Sequence, residues 1–257
     1  AEFVKDFNDH VHRVMVMSGF VKDALRNSGV TIPIDVVGVG VRPPMSDETV
    51  VIEELQNLKR VRLLHISSAF PRKGVDVLLN AYFCEFSGDD DITLILKTFP
   101  NQHNAVEEQI LHLMSNHPNP PHLLWINRDL PVNHLGNLYE SASAYVHLAR
   151  GEGFGLPVAE AMLAKVPVIS TASSGLADFV DESTASVIPS VLTKADSHVS
   201  IPGSQWYEPD ELAVRTAIRS LYSGTSSEER KGKVQRAYER IEREFSWEAV
   251  GERVINS

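Results

Sequence analysis

Glu152 and Glu160 bracket the segment Glu152-Gly153-Phe154-Gly155-Leu156-Pro157-Val158-Ala159-Glu160, whose residue types suit the binding of a hydroxylated anion. Gly153 and Gly155 let the backbone approach a ligand closely. Pro157 suits the first turn of a helix running on through Ala164. The open N–H groups and positive dipole end of such a helix favour an anion, and two carboxylates beside it can accept hydrogen bonds from hydroxyls. A phosphate pocket flanked by hydroxyl acceptors suits a sugar nucleotide. The same letters also suit a plain tight turn with acids at a helix start, where acids are favoured in any case.

A second candidate is Ser67-Ser68-Ala69-Phe70-Pro71-Arg72-Lys73-Gly74. Arg grips phosphate oxygens in a bidentate way and Lys supplies a compact charge, so Arg72 and Lys73 together can neutralise a diphosphate leaving group. A solvated basic turn is the alternative. Against it stands the pairing of two separate segments that each offer phosphate chemistry.

From residue 61 onward, short apolar runs alternate with segments of helical period. Arg62 to Ser67, Ile92 to Lys97, His122 to Ile126, Ala144 to Leu148, Val166 to Ser170 and, more weakly, Ala185 to Ile188 are predicted strands. Val75, Leu78, Leu79, Tyr82 and Phe86 form one helical stripe, and Val106, Ile110, Leu113 and Met114 another. This βαβ series predicts an α/β fold with a doubly wound, Rossmann-like parallel sheet whose ligands bind at the carboxyl ends of the strands. Both candidate segments lie at such ends. Upstream, His12 to Met17 and Ile34 to Val39 are predicted strands with a helix over Gly19 to Asn27 between them, and Pro43-Pro44 reads as a linker. Beyond the sheet come two helices, then a break at Phe245-Ser246-Trp247 and a short helix capped by Ser246.

The 257 residues carry 24 Lys and Arg against 34 Asp and Glu, a net charge of −10, which argues against a broad grip on nucleic acid or anionic lipid. One cysteine, Cys84, allows no intrachain disulfide; we expect it buried, in a cytoplasmic protein. No run of letters reaches the length of a membrane span. The opening letters read as the middle of an amphipathic helix, so a longer parent chain is expected.

These segments together resemble the retaining GT-B glycosyltransferases, in particular the large family 4 group. Residues Glu152 to Met162 resemble the family's Glu-x7-Glu signature, and Phe70 to Asp76 its proline-x-lysine-glycine turn. Met17 to Asp23 is similar to the end of the acceptor domain, and Phe245 to Glu248 to the closing helix. The resemblance implies three parts: residues 1–44 as a remnant of the acceptor domain with a linker, 45–244 as the donor-binding domain, and 245–257 as a closing helix. It implies that Glu152 holds donor-sugar hydroxyls and that Arg72 and Lys73 stabilise the departing diphosphate. Gly153, Phe154, Gly155 and Leu156 would face sugar and phosphate, and Glu160 the ribose. Arg128 and Leu130, in Asn127-Arg128-Asp129-Leu130, would line the base pocket. Ser68 stands where many members carry an arginine, and Ser173-Ser174-Gly175-Leu176 replaces their paired glycines, with Asp178 as the following acid.

The resemblance also implies a partner set: a nucleoside diphosphate sugar, such as GDP-mannose or a UDP-sugar, and a saccharide or lipid-linked acceptor. The wording around Ser67 to Asp76, Lys97 to Pro100 and Asn127 to Pro131 is similar to relatives that build bacterial surface polysaccharides and lipopolysaccharide. Peripheral association with a membrane, through a part of the protein outside this sequence, would follow. Neither a metal nor another cofactor is expected. A binding module that holds the donor without transferring it is the competing class.

Gly88-Asp89-Asp90-Asp91 resembles an Asp-x-Asp metal motif but precedes a strand, the wrong end of the sheet for a ligand. His65 and His147 lie within strands, where satisfied core histidines are expected. Lys97 and Thr98 end a strand on the ligand side.

Overall fold

The computed structural model describes residues 2–47, 52–197, 201–225 and 227–257. The chain opens with α1 (Glu2–His10), β1 (Val14–Val16), α2 (Gly19–Asn27) and β2 (Ile34–Val36), with β1 and β2 paired in parallel. Val16, Val30 and Ile34 form a small core of their own under Phe7, Val21 and Leu25. Ser18 caps α2, its hydroxyl accepting the Val21 amide at 3.3 Å.

The main body begins at β3 (Val61–Ile66) and continues through α3 (Val75–Glu85), β4 (Ile92–Thr98), α4 (Val106–Asn116), β5 (His122–Asn127) and α5 (Val132–Ser141). It then runs through β6 (Ala144–His147), α6 (Leu156–Leu163), β7 (Val168–Thr171) and β8 (Ser186–Ile188). These six strands form one parallel sheet in the order β5-β4-β3-β6-β7-β8. Successive residues of a strand face opposite sides, and here both sides are covered, so β4 is buried at every position. Leu63, Leu94 and Leu96 join the core made with α3, α4 and α7 (Glu211–Tyr222). Leu64, Ile95 and Tyr145 join the core made with α5, α6 and α8 (Ser227–Phe245).

The order has a direct consequence for ligand binding. The chain winds outward from β3 to β5, returns to β6 and winds the other way, so strand succession reverses between β3 and β6. Loops leaving the two strands at that point diverge to opposite faces and open a crevice at their carboxyl ends. Residues 67–74 and 148–155 are those two loops.

A final helix, α9 (Trp247–Ile255), starts after Ser246, whose hydroxyl accepts the Ala249 amide at 3.2 Å. The small amino-terminal unit joins the body through backbone contacts, Val41 N donating to Phe245 O at 2.7 Å, and through Arg253 Nε donating to Val37 O at 2.8 Å. No helix among the described residues is long and apolar enough to cross a membrane.

Two features depart from the sequence expectations. Cys84 is exposed: two residues past the buried Tyr82, it is turned by roughly 200° around a helix of 3.6 residues per turn. The antiparallel hairpin of β9 (Ser190–Lys194) and β10 (Gln205–Pro209), inserted between β8 and α7, has no counterpart in the sequence reading.

Candidate functional site

The turn after β3 is a short 3-10 segment, Pro71–Lys73, closed by Gly74 with φ of 67°. A β-carbon at Gly74 would lie 2.0 Å from Leu148 O, so only glycine lets this turn seat against the end of β6. The seating delivers Arg72 and Lys73 to the loop after β6. Arg72 Nη1 donates to Gly151 O at 2.9 Å and lies 3.3 Å from Glu152 Oε2, and Lys73 Nζ donates to Glu152 Oε1 at 2.5 Å.

Glu152 is 8% exposed and held on every side. His147 Nε2 lies 2.9 Å from the same Oε1, and the Glu152 amide donates to Ser174 Oγ at 2.9 Å. Burial by itself would raise its carboxyl pKa, but the hydrogen bonds and charges of His147 and Lys73 outweigh it and hold the group well below the usual carboxylate range. Burial lowers the Lys73 ammonium, with Glu152 opposing. At neutral pH the two form a buried ion pair.

Behind them, the rings of His65 and His147 stack at 5.8 Å on the adjacent strands β3 and β6. His65 bridges Val146 O and Ser67 Oγ, each at 2.8 Å, and burial together with His147 pushes it down to about 3, so it is neutral. His147, expected as a core histidine, is therefore a buried support of Glu152. Its position at the carboxyl end of a strand, five residues before an acid in a glycine-rich loop, is the signal that marks it.

Gly155 adopts φ of 101° as the residue before α6, and a β-carbon there would meet Leu176 Cδ2 at 2.3 Å. Pro157 occupies the first turn, as its fixed φ favours. Among the described residues none accepts a hydrogen bond from the Gly153, Phe154 or Gly155 amide. The Phe154 ring turns inward against Phe179 and Phe245, anchoring the loop, while Leu156 is 41% exposed. Across the loop, the buried hydroxyl of Ser173 has no hydrogen-bond partner among the described residues.

Glu160 sits about one turn into α6, roughly 6 Å of helical rise beyond Leu156. Its Oε2 accepts from the Tyr139 hydroxyl at 3.0 Å, and burial raises its carboxyl above the usual value against that hydrogen bond. It lines a cleft of about 400 Å³ with Arg42, Met45, Leu135, Leu156 and Trp247. A larger hollow of about 600 Å³ lies between β8, α7 and α8, and none of the sequence-predicted site residues lines it.

The structure thus gathers Arg72, Lys73, Glu152 and Gly153 to Leu156 at the switch point, with Glu160 on the same helix. It does not bring Arg128 to them: that side chain donates to Glu54 Oε1 at 2.8 Å beyond β5, and Leu130 packs on the core beneath. Ser68 lies on the first loop, where its carbonyl accepts from Asn101 Nδ2 at 2.8 Å. Asp178 turns to the amino-terminal unit, accepting the Gly19 amide at the start of α2 at 3.0 Å. The Gly88-Asp89-Asp90-Asp91 turn lies at the amino end of β4, where Asp90 pairs with Arg219 and Asp91 with Arg60.

A family model described as glycosyl transferases group 1 matches residues 47–195, more than half of the chain. The chain belongs to this family. The matched span contains β3 to β8 and both loops at the switch point. Among solved structures, this group 1 glycosyltransferase chain superposes on a sucrose-phosphate synthase from Thermosynechococcus elongatus with a TM-score of 0.74 at 20% identity, over 98% of this chain and 59% of that one. It superposes on Anabaena HepE in complex with UDP-glucose with a TM-score of 0.71 at 14% identity, over 98% of this chain and 65% of that one. A third is the C-terminal domain of the group 1 family protein LpcC from Francisella tularensis, with a TM-score of 0.57 at 17% identity, over 82% of this chain and 100% of that one. These likenesses show the Rossmann-like fold of GT-B glycosyltransferases. The chain spans about three fifths of the first two. No curated protein sequence matches it.

Proposed function

We propose that this chain binds the donor for a retaining, family 4 type hexosyltransfer from a nucleoside diphosphate sugar to a saccharide or lipid-linked acceptor. The observation that carries the reading is the convergence of Arg72, Lys73 and the open amides before α6 around Glu152, at the switch point of a parallel sheet. As the glycosidic bond to phosphate breaks, the sugar becomes cation-like and the diphosphate gains charge. Fixed cations and a helix terminus on the diphosphate side lower that barrier without reorganising. Glu152 is already ionised and rigid, so it suits the sugar hydroxyls. Glu160, with its cleft, suits the ribose, and residues 127–130 the base. No protein nucleophile is assigned, because retention in this reading proceeds by acceptor attack on the face the diphosphate leaves.

For the donor, HepE's complex with UDP-glucose favours a UDP-sugar, whereas the wording of Ser67 to Asp76, Lys97 to Pro100 and Asn127 to Pro131 favours GDP-mannose and surface-polysaccharide synthesis. Calorimetric titration with UDP, GDP and ADP decides between them. Absence of binding to every nucleoside diphosphate would sink the reading. Donor binding without transfer is the second reading, favoured by the three fifths of a neighbouring transferase that the chain spans. It is separated by assaying sugar release from the donor that binds.

A further inference from the structure

Arg150 lies between the strand end of β6 and Glu152, and its guanidinium is 6% exposed. A guanidinium carries five N–H donors, and here all five are used. Nε and Nη2 donate to the two Glu208 oxygens at 2.7 and 2.6 Å, and Nη1 and Nη2 to the two Asp76 oxygens at 2.7 and 2.7 Å. The remaining Nη1 donor meets Pro71 O at 2.6 Å. The Trp206 ring covers the guanidinium at 4.7 Å. The Arg150 backbone adds two more ties, its amide donating to Arg72 O at 2.7 Å and its carbonyl accepting from Tyr207 N at 3.0 Å.

One residue thus joins three segments: the Pro71–Lys73 turn with the first turn of α3, the loop before Glu152, and strand β10. A buried charged network is weak evidence for stability, since apolar side chains of similar volume often do as well. What apolar packing cannot supply is direction. Two bidentate carboxylates fix the plane of the guanidinium, and that plane fixes where the Pro71 carbonyl, and so Arg72 and Lys73, stand.

We infer that Arg150 is a positioning residue that holds Arg72 and Lys73 where they meet the donor diphosphate, with the β9–β10 hairpin as its outer buttress. The inference rests on the diphosphate reading proposed above. It needs the fork geometry of arginine, which lysine cannot reproduce.

The test compares Arg150→Met and Arg150→Lys with the parent chain in calorimetric titrations of UDP, GDP, UMP and GMP. The preference for diphosphate over monophosphate is expected to fall about tenfold in Arg150→Met, with monophosphate affinity within about twofold of the parent, and Arg150→Lys to restore only part of it. Equal losses for both nucleotide classes, or full rescue by lysine, would overturn the inference. Amide hydrogen exchange, read without ligand, is expected to quicken in residues 71–76 and 205–208 and to stay unchanged in β4; unchanged exchange at 71–76 overturns it as well. That readout separates the two ideas, because a parent chain that binds no nucleotide defeats the donor reading while exchange still judges the brace. Should Arg150→Met fail to fold, Glu208→Gln and Asp76→Asn, whose side chains are 33% and 48% exposed, carry the same exchange measurement.

Discussion

Lys73 Nζ and Glu152 Oε1 meet at 2.5 Å across the reversal point of the sheet, one from the loop after β3 and the other from the loop after β6. Neither loop is far from solvent, yet the pair is nearly closed to it: the Lys73 side chain is 12% exposed and that of Glu152 7%. The carboxylate therefore serves the fold as well as any ligand.

Glu152→Ala would leave Lys73 buried without its counter-charge, which typically costs about 3 kcal/mol. Urea denaturation of the chain is expected to show a loss of that order. A Lys73→Met, Glu152→Ala double variant should recover part of it, and a strictly additive loss would mean that the pair contributes nothing.

Glu160 gives a prediction in pH. Burial raises its carboxyl, so the folded chain binds this proton more tightly than the unfolded one, and its contribution to stability improves as pH falls. A ligand hydroxyl held by the carboxylate has the opposite dependence: affinity drops as pH falls through a pKa above the ordinary glutamate value of about 4.3. Titrating UDP or GDP from pH 8 to 4 against chain and Glu160→Gln checks this. The nucleotide's own phosphate proton, near pH ~6, is common to both proteins and cancels in the ratio of their affinities.

Asp181 behaves in the contrary sense. Although burial opposes it, hydrogen bonds from Ser183 and Arg240 lower its carboxyl to about 2. Its stabilisation is therefore present above the unfolded value of about 3.9 and lost as pH falls toward 2. The side chain is 50% exposed, so solvent screening limits the effect to about 1 kcal/mol. Urea midpoints at pH 5 and pH 2.5 should converge in Asp181→Asn relative to the parent chain.

Gly74→Ala and Gly155→Ala both place a β-carbon on left-handed backbone, but their obstacles differ. At Gly74 it meets the backbone oxygen of Leu148, and at Gly155 the end of the Leu176 side chain, which can move. Losses of about 3 kcal/mol and about 2 kcal/mol are expected, in that order, from thermal denaturation.

Much of this was legible in the letters. The six sheet strands and the helix over Gly19–Asn27 follow from apolar patterning, and the helix after Ser246 from capping chemistry. The two loops at the switch point were marked by glycines and cations at strand ends. Other parts depend on contacts that no local pattern announces. Helix α5 carries asparagines and a mid-helix glycine of poor propensity and is held by Leu138 and Tyr139 in the core. In the β9–β10 hairpin, Val191 and Leu192 are exposed, so burial imposes no alternation to read. The ligation of Arg150 joins residues 58 and 74 positions away, and the placing of His147 behind Glu152 depends on strand order.

The contact of Gly74 with Leu148 also bears on how such chains can be recombined. Because the first loop is moulded on the backbone of the second, a crossover anywhere between residues 74 and 148 pairs a turn from one parent with a strand end from another. Hybrids that exchange 67–74 together with 148–155 as one block should fold more readily than hybrids that exchange either alone. The two loops are then one structural unit in two pieces, far apart in the gene and adjacent in space.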